Sequence, residues 1–388
     1  MSLVSGASLA RRLSFYYAAV FAVIGVHLPF FPLWLDSRGI GASEIGLLLA
    51  SVSFVRILTT PWIGAMADRR GERRRPMIAL AAIAALGFAA YWFAGGIWSL
   101  LAIGIVAGVA HAGLMPLGEN VTMTLAAARG LDYGRLRLWG SLAFIALSAL
   151  GGLLIEAGGI DLTIALLVAT SLAMLVACAA LPDSGQARAV HVRPPALALL
   201  GNRTFALFLG TCGALQASHA AMYAIGTVHW RAGGMDETTI GLLSAEAVIA
   251  EVLLFALGGR VLARLGPLGL LATAGAAGAV RWLAMAFADA LWAIAALQLL
   301  HALTFGAAHL AAMHALQRMA PEGFAASAQS TYSAFGMGLA MGAALLATGP
   351  LYAAFGAGVY GVMAALSLAG LLGVVALAKK WRGERLAL

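Results

Sequence analysis

Long apolar stretches alternate with short polar connections along almost the whole chain. A helix of about 20 mostly apolar residues is long enough to cross the hydrocarbon core of a bilayer. By that measure the pattern predicts an all-α membrane protein with twelve spans. To within a few residues, the predicted spans are 13–35, 43–67, 76–95, 97–126, 136–157, 161–181, 204–230, 238–262, 267–287, 290–318, 324–352 and 356–380.

The longest polar connection divides the spans into two sets of six, and a short internal repeat supports that division. Ile45 to Leu48 recurs as Ile240 to Leu243, 195 positions later, so spans 2 and 8 are equivalent. At the same shift Gly64 matches Gly259, Arg69 matches Arg264 and Gly71 matches Gly266. We therefore predict two pseudo-symmetric six-helix bundles, 1–181 and 204–388, joined by a cytoplasmic linker, 182–203.

Composition and charge agree with a membrane protein. Hydrophobic residues make up 62% of the chain and charged residues 10%, whereas soluble domains have about 45–50% and about 25%. The net charge of +8 does not indicate nucleic-acid binding, because the basic residues lie between the spans. They concentrate on the side of the N-terminus, with only Arg38 and Arg231 opposite, which predicts that both termini are cytoplasmic. Cys178 and Cys212 are expected to be free thiols.

A few charged residues lie within the predicted spans. Each costs about 2.5–3.5 kcal/mol on insertion scales, so each needs a partner or a function. The sequence identifies no partner for Arg56, and Glu246 points to a different helical face from Glu251. The in-span charges are Arg56, Glu119, Glu246, Glu251 and Arg281, and Arg137 lies just inside span 5.

Each of these charged groups has two interpretations, one structural and one functional, and both remain open. Glu119 and Arg137, on consecutive spans, form either a structural salt bridge or a clamp in which the guanidinium binds a carboxylate or vicinal hydroxyls. Glu251 is either a satisfied buried carboxylate or a group that takes up and releases a proton. His301 follows Arg281 by 20 positions and is either a packing residue or part of a proton relay.

Several motifs resemble those of the major facilitator superfamily and its lactose permease branch. Gly64 to Arg74 resembles the loop signature of the superfamily, in which Gly64 would allow close helix approach. Pro29 to Leu35 and Tyr133 to Gly140 are similar to the opening of span 1 and the loop into span 5 in that branch. The separations of 18 between Glu119 and Arg137, and of 20 between Arg281 and His301, are those of its paired residues. Four short sequences resemble those of the 3-phenylpropionic acid transporter family. They are Asp132–Ser141, Ala250–Val252, Leu300–Gly306 and Gln329–Tyr332.

This resemblance implies the major facilitator fold, with the substrate site between the two halves near the midplane. It implies roles for three groups of residues. These are a substrate site of Glu119, Arg137, Phe144 and Glu251; proton-coupling residues Glu251, Arg281 and His301; and a conformational loop motif of Gly64, Asp68, Arg69 and Gly71.

Three departures from the lactose permease weigh against a sugar as the substrate. Thr304 stands where that branch has a proton-carrying glutamate, and Val248 stands at its span-8 glutamate. Phe144 replaces the tryptophan that stacks on sugar. The coupling carboxylate is therefore open, and Glu251 is the candidate.

We expect a monomeric secondary transporter of a bacterial-type cytoplasmic membrane. Its substrate would be an aromatic carboxylate such as 3-phenylpropionate, taken up with a proton. The alternatives are a sugar or nucleoside proton symporter of the same branch, an exporter, or a sensor that retains the fold without transport. The chain contains no nucleophile elbow, phosphate loop or paired-histidine metal motif, so no enzymatic activity, cofactor or metal is predicted.

Overall fold

The computed structural model describes residues 6–70, 72–182, 196–322 and 324–386, and these residues form helices and no strand. Ten helical segments in this part of the chain are long and apolar enough to cross a membrane. The helix predicted over 204–230 is divided into shorter pieces, and Ser327–Lys380 counts as one segment. The count of twelve spans and the cytoplasmic placement of both termini stay predictions.

Sixteen α-helices make up the described part of the chain. Three π-helical segments, Met222–Gly226, Ala302–Gly306 and Ser333–Leu339, lie between consecutive α-helices. The helices are α1 (Gly6–Ser37), α2 (Ala42–Arg70), α3 (Arg74–Ala90), α4 (Ile97–Arg129), α5 (Tyr133–Gly158), α6 (Leu162–Ala180), α7 (Ala196–Gly201), α8 (Arg203–Ala217), α9 (Thr227–Ala232), α10 (Glu237–Ala256), α11 (Gly258–Met285), α12 (Leu291–Leu299), α13 (Ala307–Met319), α14 (Ala325–Tyr332), α15 (Ala340–Phe355) and α16 (Val359–Lys380).

The chain forms two compact units. The first unit contains Met1–Ile40, Leu58–Val190 and Trp230–Ala245, and the second contains Gly41–Ile57, His191–His229 and Glu246–Leu388. Helices α2 and α10 are continuous, so each contributes one end to each unit. The predicted bundles 1–181 and 204–388 stay a prediction, and most of the linker 182–203 lies outside the described residues.

Helix α1 is the central element of the first unit and packs against α5 and α6. Close approach to α5 depends on Gly25, because a Cβ there would lie 2.8 Å from the carbonyl oxygen of Phe144. Arg12 and Arg74 donate hydrogen bonds to Ala180 and Ala179, the last carbonyls of α6. These carbonyls have no partner within the helix, so the two arginines cap its C-terminus.

The core of the second unit lies among α8, α11, α13 and α16. Helix α13 presents small buried side chains, including Ala307, Ala311 and Ala315, to this core. Small residues allow membrane helices to approach closely and to gain van der Waals contact. Trp381, just after α16, is 2% exposed and closes the same core.

The repeat-equivalent glycines Gly46 and Gly241 both lie at tight helix crossings, each within one unit. A Cβ on Gly46 would lie 2.6 Å from the carbonyl oxygen of Leu345. A Cβ on Gly241 would overlap the carbonyl oxygen of Ser148. Because both obstacles are backbone atoms of a helix, the helices must separate to accept a methyl group.

We expect Gly46→Ala and Gly241→Ala each to lower the free energy of unfolding by about 1–3 kcal/mol, the usual cost of overpacking. Thermal unfolding of the purified protein measures this effect. Gly361→Ala in α16 is the matched control, since no other described part of the chain lies within 4 Å of its added Cβ. Alanine favours a helix over glycine by about 1 kcal/mol, so the control should be unchanged or more stable. Equal stability of Gly241→Ala and Gly361→Ala would contradict the close crossing.

Candidate functional site

Charged and aromatic side chains of α1, α4 and α5 meet in the first unit. The Nε of Arg137 donates to Glu119 Oε1 at 3.3 Å, and the hydroxyl of Tyr133 donates to Glu119 Oε2. The guanidinium carbon of Arg137 lies 4.2 Å from the ring centroid of Phe21 and 5.4 Å from that of Tyr17. We call these five residues the Arg137 cluster.

The turn between α4 and α5 positions this cluster. Gly130 has a φ of 64°, the left-handed conformation that ends many helices, and it terminates α4. The carboxylate of Asp132 then accepts the backbone N–H of Arg135 at 3.2 Å, which starts α5. Tyr133 and Arg137 follow four positions apart, so they lie on one face of α5. The short polar stretch therefore aims both side chains at the same carboxylate.

The guanidinium of Arg137 has an edge available for a ligand. Its Nη atoms have no hydrogen-bond partner within the described part of the chain, and its side chain is 31% exposed. One edge is fixed by Glu119 and one face is covered by Phe21, so the group is pre-oriented. This arrangement can bind a planar anion beside aromatic rings. The predicted pair is thus in ion-pair contact, and its role as a ligand clamp stays a prediction.

Phe144 and the loop motif lie elsewhere. Phe144 is 6% exposed, and its backbone packs against Gly25. Among the described residues, no neighbouring atom lies within 4 Å of the position that a Cβ on Gly64 would take, and the expected close helix approach stays a prediction. Gly71 and the side chains of Asp68 and Arg69 lie outside the described residues.

A second polar cluster is buried in the second unit, around a fully buried arginine. Arg281 Nη1 donates to Thr304 Oγ1 at 2.9 Å and lies 3.3 Å from His301 Nδ1. Its Nη2 donates to Gln298 Oε1 at 2.7 Å. No carboxylate lies within 4.0 Å of this guanidinium among the described residues. We call Arg281, Gln298, His301 and Thr304 the Arg281 cluster.

Glu251 contacts the Arg281 cluster at the ring of His301. Its Oε2 lies 3.6 Å from Nε2 of His301, and its side chain is 17% exposed. The π-helical segment Ala302–Gly306 provides the room, since a Cβ on Gly306 would lie 3.3 Å from Cγ of Glu251. The structure thus brings together Glu251, Arg281 and His301, the three residues predicted for proton coupling.

Three residues in or beside these clusters were not singled out in the sequence: Phe21, Gln298, and His219, whose Nε2 lies 3.1 Å from Thr304 Oγ1. Phe21 follows Tyr17 by one helical turn, a spacing that indicates a shared face. Gln298 precedes His301 by three positions, a spacing that also indicates a shared helical face. His219 lies where the predicted span over 204–230 is interrupted, and an interruption in an otherwise apolar span often accompanies a functional site.

The structure also identifies a partner for Arg56. Its Nη2 donates to the carbonyl oxygen of Met337 at 3.3 Å. Met337 lies within the π-helical segment Ser333–Leu339, and the altered hydrogen bonding of such a segment can free a carbonyl for a side chain. Arg56 is therefore accounted for by backbone contact.

Comparisons with known proteins agree with this architecture. A family model described as MFS_1 like family matches residues 10–360. The probable 3-phenylpropionic acid transporter of Escherichia coli (strain K12) is 31% identical over 362 residues, which are 92% of this chain and 95% of that protein. The maltose permease of Geobacillus stearothermophilus is 28% identical over 386 residues, 96% of each chain.

Two solved structures show the same fold. The crystal structure of the nucleoside transporter NupG has a TM-score of 0.83 at 15% identity and covers 96% of this chain and 100% of that chain. The human organic anion transporter MFSD10 (TETRAN) has a TM-score of 0.67 at 16% identity, over 94% and 98%. At these identities the likeness shows the fold alone. With the family model and the E. coli relative, it establishes that the chain belongs to the MFS_1 like family of the major facilitator superfamily and is a multi-pass membrane transporter, not an enzyme.

Proposed function

We propose that this transporter takes up a small aromatic carboxylate, such as 3-phenylpropionate, together with a proton across the cytoplasmic (inner) membrane. The observation that carries the proposal is the free edge of the Arg137 guanidinium beside the ring of Phe21. A carboxylate fits that edge with two parallel hydrogen bonds, and its aromatic group fits beside the rings. The name of the E. coli relative supports this class of substrate.

The charges of the Arg137 cluster favour proton co-transport. Arg137 and Glu119 form an ion pair and together carry no net charge. A bound carboxylate adds one negative charge to a site surrounded by apolar helices, and an uncompensated charge there is costly. A proton that moves with the substrate offsets this charge.

We propose that Glu251 carries this proton, with Arg281 and His301 tuning it. Nε2 of His301 is near the carboxylate, and Arg281 is fixed on the other nitrogen of the same ring. Alternating access then couples the two fluxes only if the proton and the solute each bind one conformation better than the other. The protein needs no partner chain for this cycle, and we propose that it works as a monomer.

A sugar or nucleoside is the second candidate substrate. The maltose permease is 28% identical over nearly the whole chain, and a guanidinium paired with a carboxylate can also hold vicinal hydroxyls. Competition separates the two classes. Excess 3-phenylpropionate should suppress uptake of a labelled aromatic acid, whereas excess maltose or nucleoside should not.

The proposed function predicts external alkalinisation when 3-phenylpropionate is added to proteoliposomes that contain the purified protein. The proton taken up with each solute leaves the outer medium, and a pH electrode records its loss. Neutral 3-phenylpropionic acid also crosses lipid unaided. The signal is therefore the excess over protein-free liposomes, recorded at a pH well above that of half-ionisation for the free acid.

The amide of the same acid is the matched solute control. It has the ring and the chain but no carboxylate, so it should give no excess signal. If maltose or a nucleoside gives an excess signal and the acid gives none, the substrate is a sugar or nucleoside and not an aromatic carboxylate. If no solute gives an excess signal while labelled acid still accumulates, the transporter does not couple uptake to a proton.

A further inference from the structure

We propose that His219 positions Arg281 through the hydroxyl of Thr304, and thereby fixes His301 in the tautomer that directs its Nε2–H towards Glu251. This inference deepens the proposed proton-coupling role of Glu251 and rests on it. His219 would act through its neighbours, so it is a positioning residue and not a carrier of the proton.

His219 is held in one orientation. It is 1% exposed and follows the end of α8, where the helix is interrupted before the π-helical segment Met222–Gly226. Its ring packs edge-on against Trp282 at 5.2 Å and Phe305 at 5.8 Å between centroids. On a further side the ring of Tyr223 lies at 5.9 Å. The ring cannot turn without displacing these neighbours, so its two nitrogens keep their partners.

The partners of His219 assign its tautomer. Nδ1 lies 3.2 Å from the backbone carbonyl oxygen of Gln216. This oxygen can only accept, so Nδ1 carries the hydrogen. Nε2 of the neutral ring is then an acceptor, and it lies 3.1 Å from Oγ1 of Thr304. The Thr304 hydroxyl therefore donates to His219. Its only alternative acceptor in the described contacts is the carbonyl oxygen of His301, at a longer distance of 3.4 Å.

The same reasoning fixes Arg281. A hydroxyl that donates to His219 turns its lone pairs towards Arg281 Nη1, which is 2.9 Å away. Arginine can only donate, so the 3.3 Å approach of the same Nη1 to His301 makes Nδ1 of His301 an acceptor. The hydrogen of the neutral His301 ring then lies on Nε2, the atom that faces Glu251. The two histidines thus have opposite tautomers, and Thr304 and Arg281 connect them.

Magic-angle-spinning NMR of ¹⁵N,¹³C-histidine-labelled protein in bilayers tests this arrangement without any substrate. The two neutral tautomers have distinct ring ¹⁵N and ¹³C shifts. Spectra of single variants, His219→Gln and His301→Gln, assign the two signals. We expect His219 to be protonated at Nδ1 and His301 at Nε2. An Nδ1-protonated His301 in the unchanged protein overturns the inference.

The transport test uses His219→Leu and its conservative counterpart His219→Gln. Leucine removes the acceptor of the Thr304 hydroxyl, so His301 should lose its single tautomer and proton-driven uptake should fall about tenfold. The glutamine carbonyl can accept that hydroxyl, so His219→Gln should keep the Nε2 tautomer and most of the uptake. His314→Leu is the control, because His314 contacts the Leu310 carbonyl of its own helix.

The outcomes separate this inference from the proposed function. If the tautomers are as expected but the unchanged protein moves no proton with an aromatic acid, the network stands and the function fails. If the unchanged protein couples proton and acid while His219→Leu keeps both the His301 tautomer and full uptake, the function stands and the role of His219 fails. A folded His219→Gln that matches His219→Leu in both readouts also contradicts the positioning role.

Discussion

Arg137→Ala is expected to lower the efficiency of 3-phenylpropionate uptake about 100-fold, because it removes the group proposed to bind the carboxylate. Hydrogen bonds to charged groups are each worth about 1.5–3 kcal/mol, and tenfold in affinity corresponds to about 1.4 kcal/mol. The initial rate of labelled uptake, measured over a range of concentrations, gives the ratio of maximal rate to half-saturation constant. The loss should be specific for the acid, so the preference for the acid over its amide should nearly vanish.

Arg135→Ala is the matched control for this change. It removes the same side chain two positions earlier, where Arg135 is 88% exposed and pairs with Asp132 in the turn. Arg137→Lys separates charge from shape. Lysine keeps the positive charge but has no planar fork to stack on Phe21 and bind a carboxylate bidentately, so its uptake should lie between that of the unchanged protein and that of Arg137→Ala. Full uptake by Arg137→Ala would show that Arg137 is not part of the substrate site.

The sequence predicted the elements and the pairs that follow from regular geometry. The apolar stretches marked the long helices, because a membrane admits few other structures. The spacings in the lactose permease resemblance paired Glu119 with Arg137 and Arg281 with His301, and both pairs are in contact. Charges in apolar spans are costly enough that a partner had to exist.

The remaining site residues depend on contacts that a periodic pattern does not encode. Phe21 resembles any apolar residue of α1 until Arg137 is placed over its ring. His219 lies where a helix is interrupted, and hydropathy does not locate such an interruption. Gly64 illustrates the opposite case, because its motif suggested a close contact that the described residues do not make. Gly46 and Gly241 make such contacts, and only the repeat had set them apart.

The two clusters differ in a way that suits different tasks. Arg137 is 31% exposed and keeps an edge that no described residue contacts, which suits the proposed binding and release of a solute. Arg281 is fully buried, and its guanidinium contacts the uncharged side chains of Gln298 and Thr304 and the ring of His301. Because no carboxylate contacts this buried cation among the described residues, a negative charge nearby is favourable, and Glu251 is the carboxylate that lies beside His301 of the cluster. We therefore expect the proposed proton gain or loss at Glu251 to alter the electrostatics of the Arg281 cluster.

Glu251→Gln is accordingly expected to abolish accumulation while leaving exchange of solute intact. Glutamine keeps the size of the side chain and can accept a hydrogen bond from His301, but it has no proton to release. A gradient of one pH unit is worth about 1.4 kcal/mol, enough for about tenfold accumulation with one proton per solute. The variant should equilibrate its solute without exceeding the outside concentration, and it should still exchange labelled for unlabelled solute in counterflow.

Counterflow separates this outcome from misfolding, because a misfolded protein loses both activities. Glu246→Gln on the same helix is the matched control, since Glu246 lies five positions earlier on a different face of α10 and should keep its accumulation. If Glu251→Gln accumulates solute tenfold under the same gradient, another group carries the proton. If Glu251→Gln loses counterflow as well while remaining folded, Glu251 belongs to the binding of solute, and the charge that accompanies the carboxylate must be supplied elsewhere.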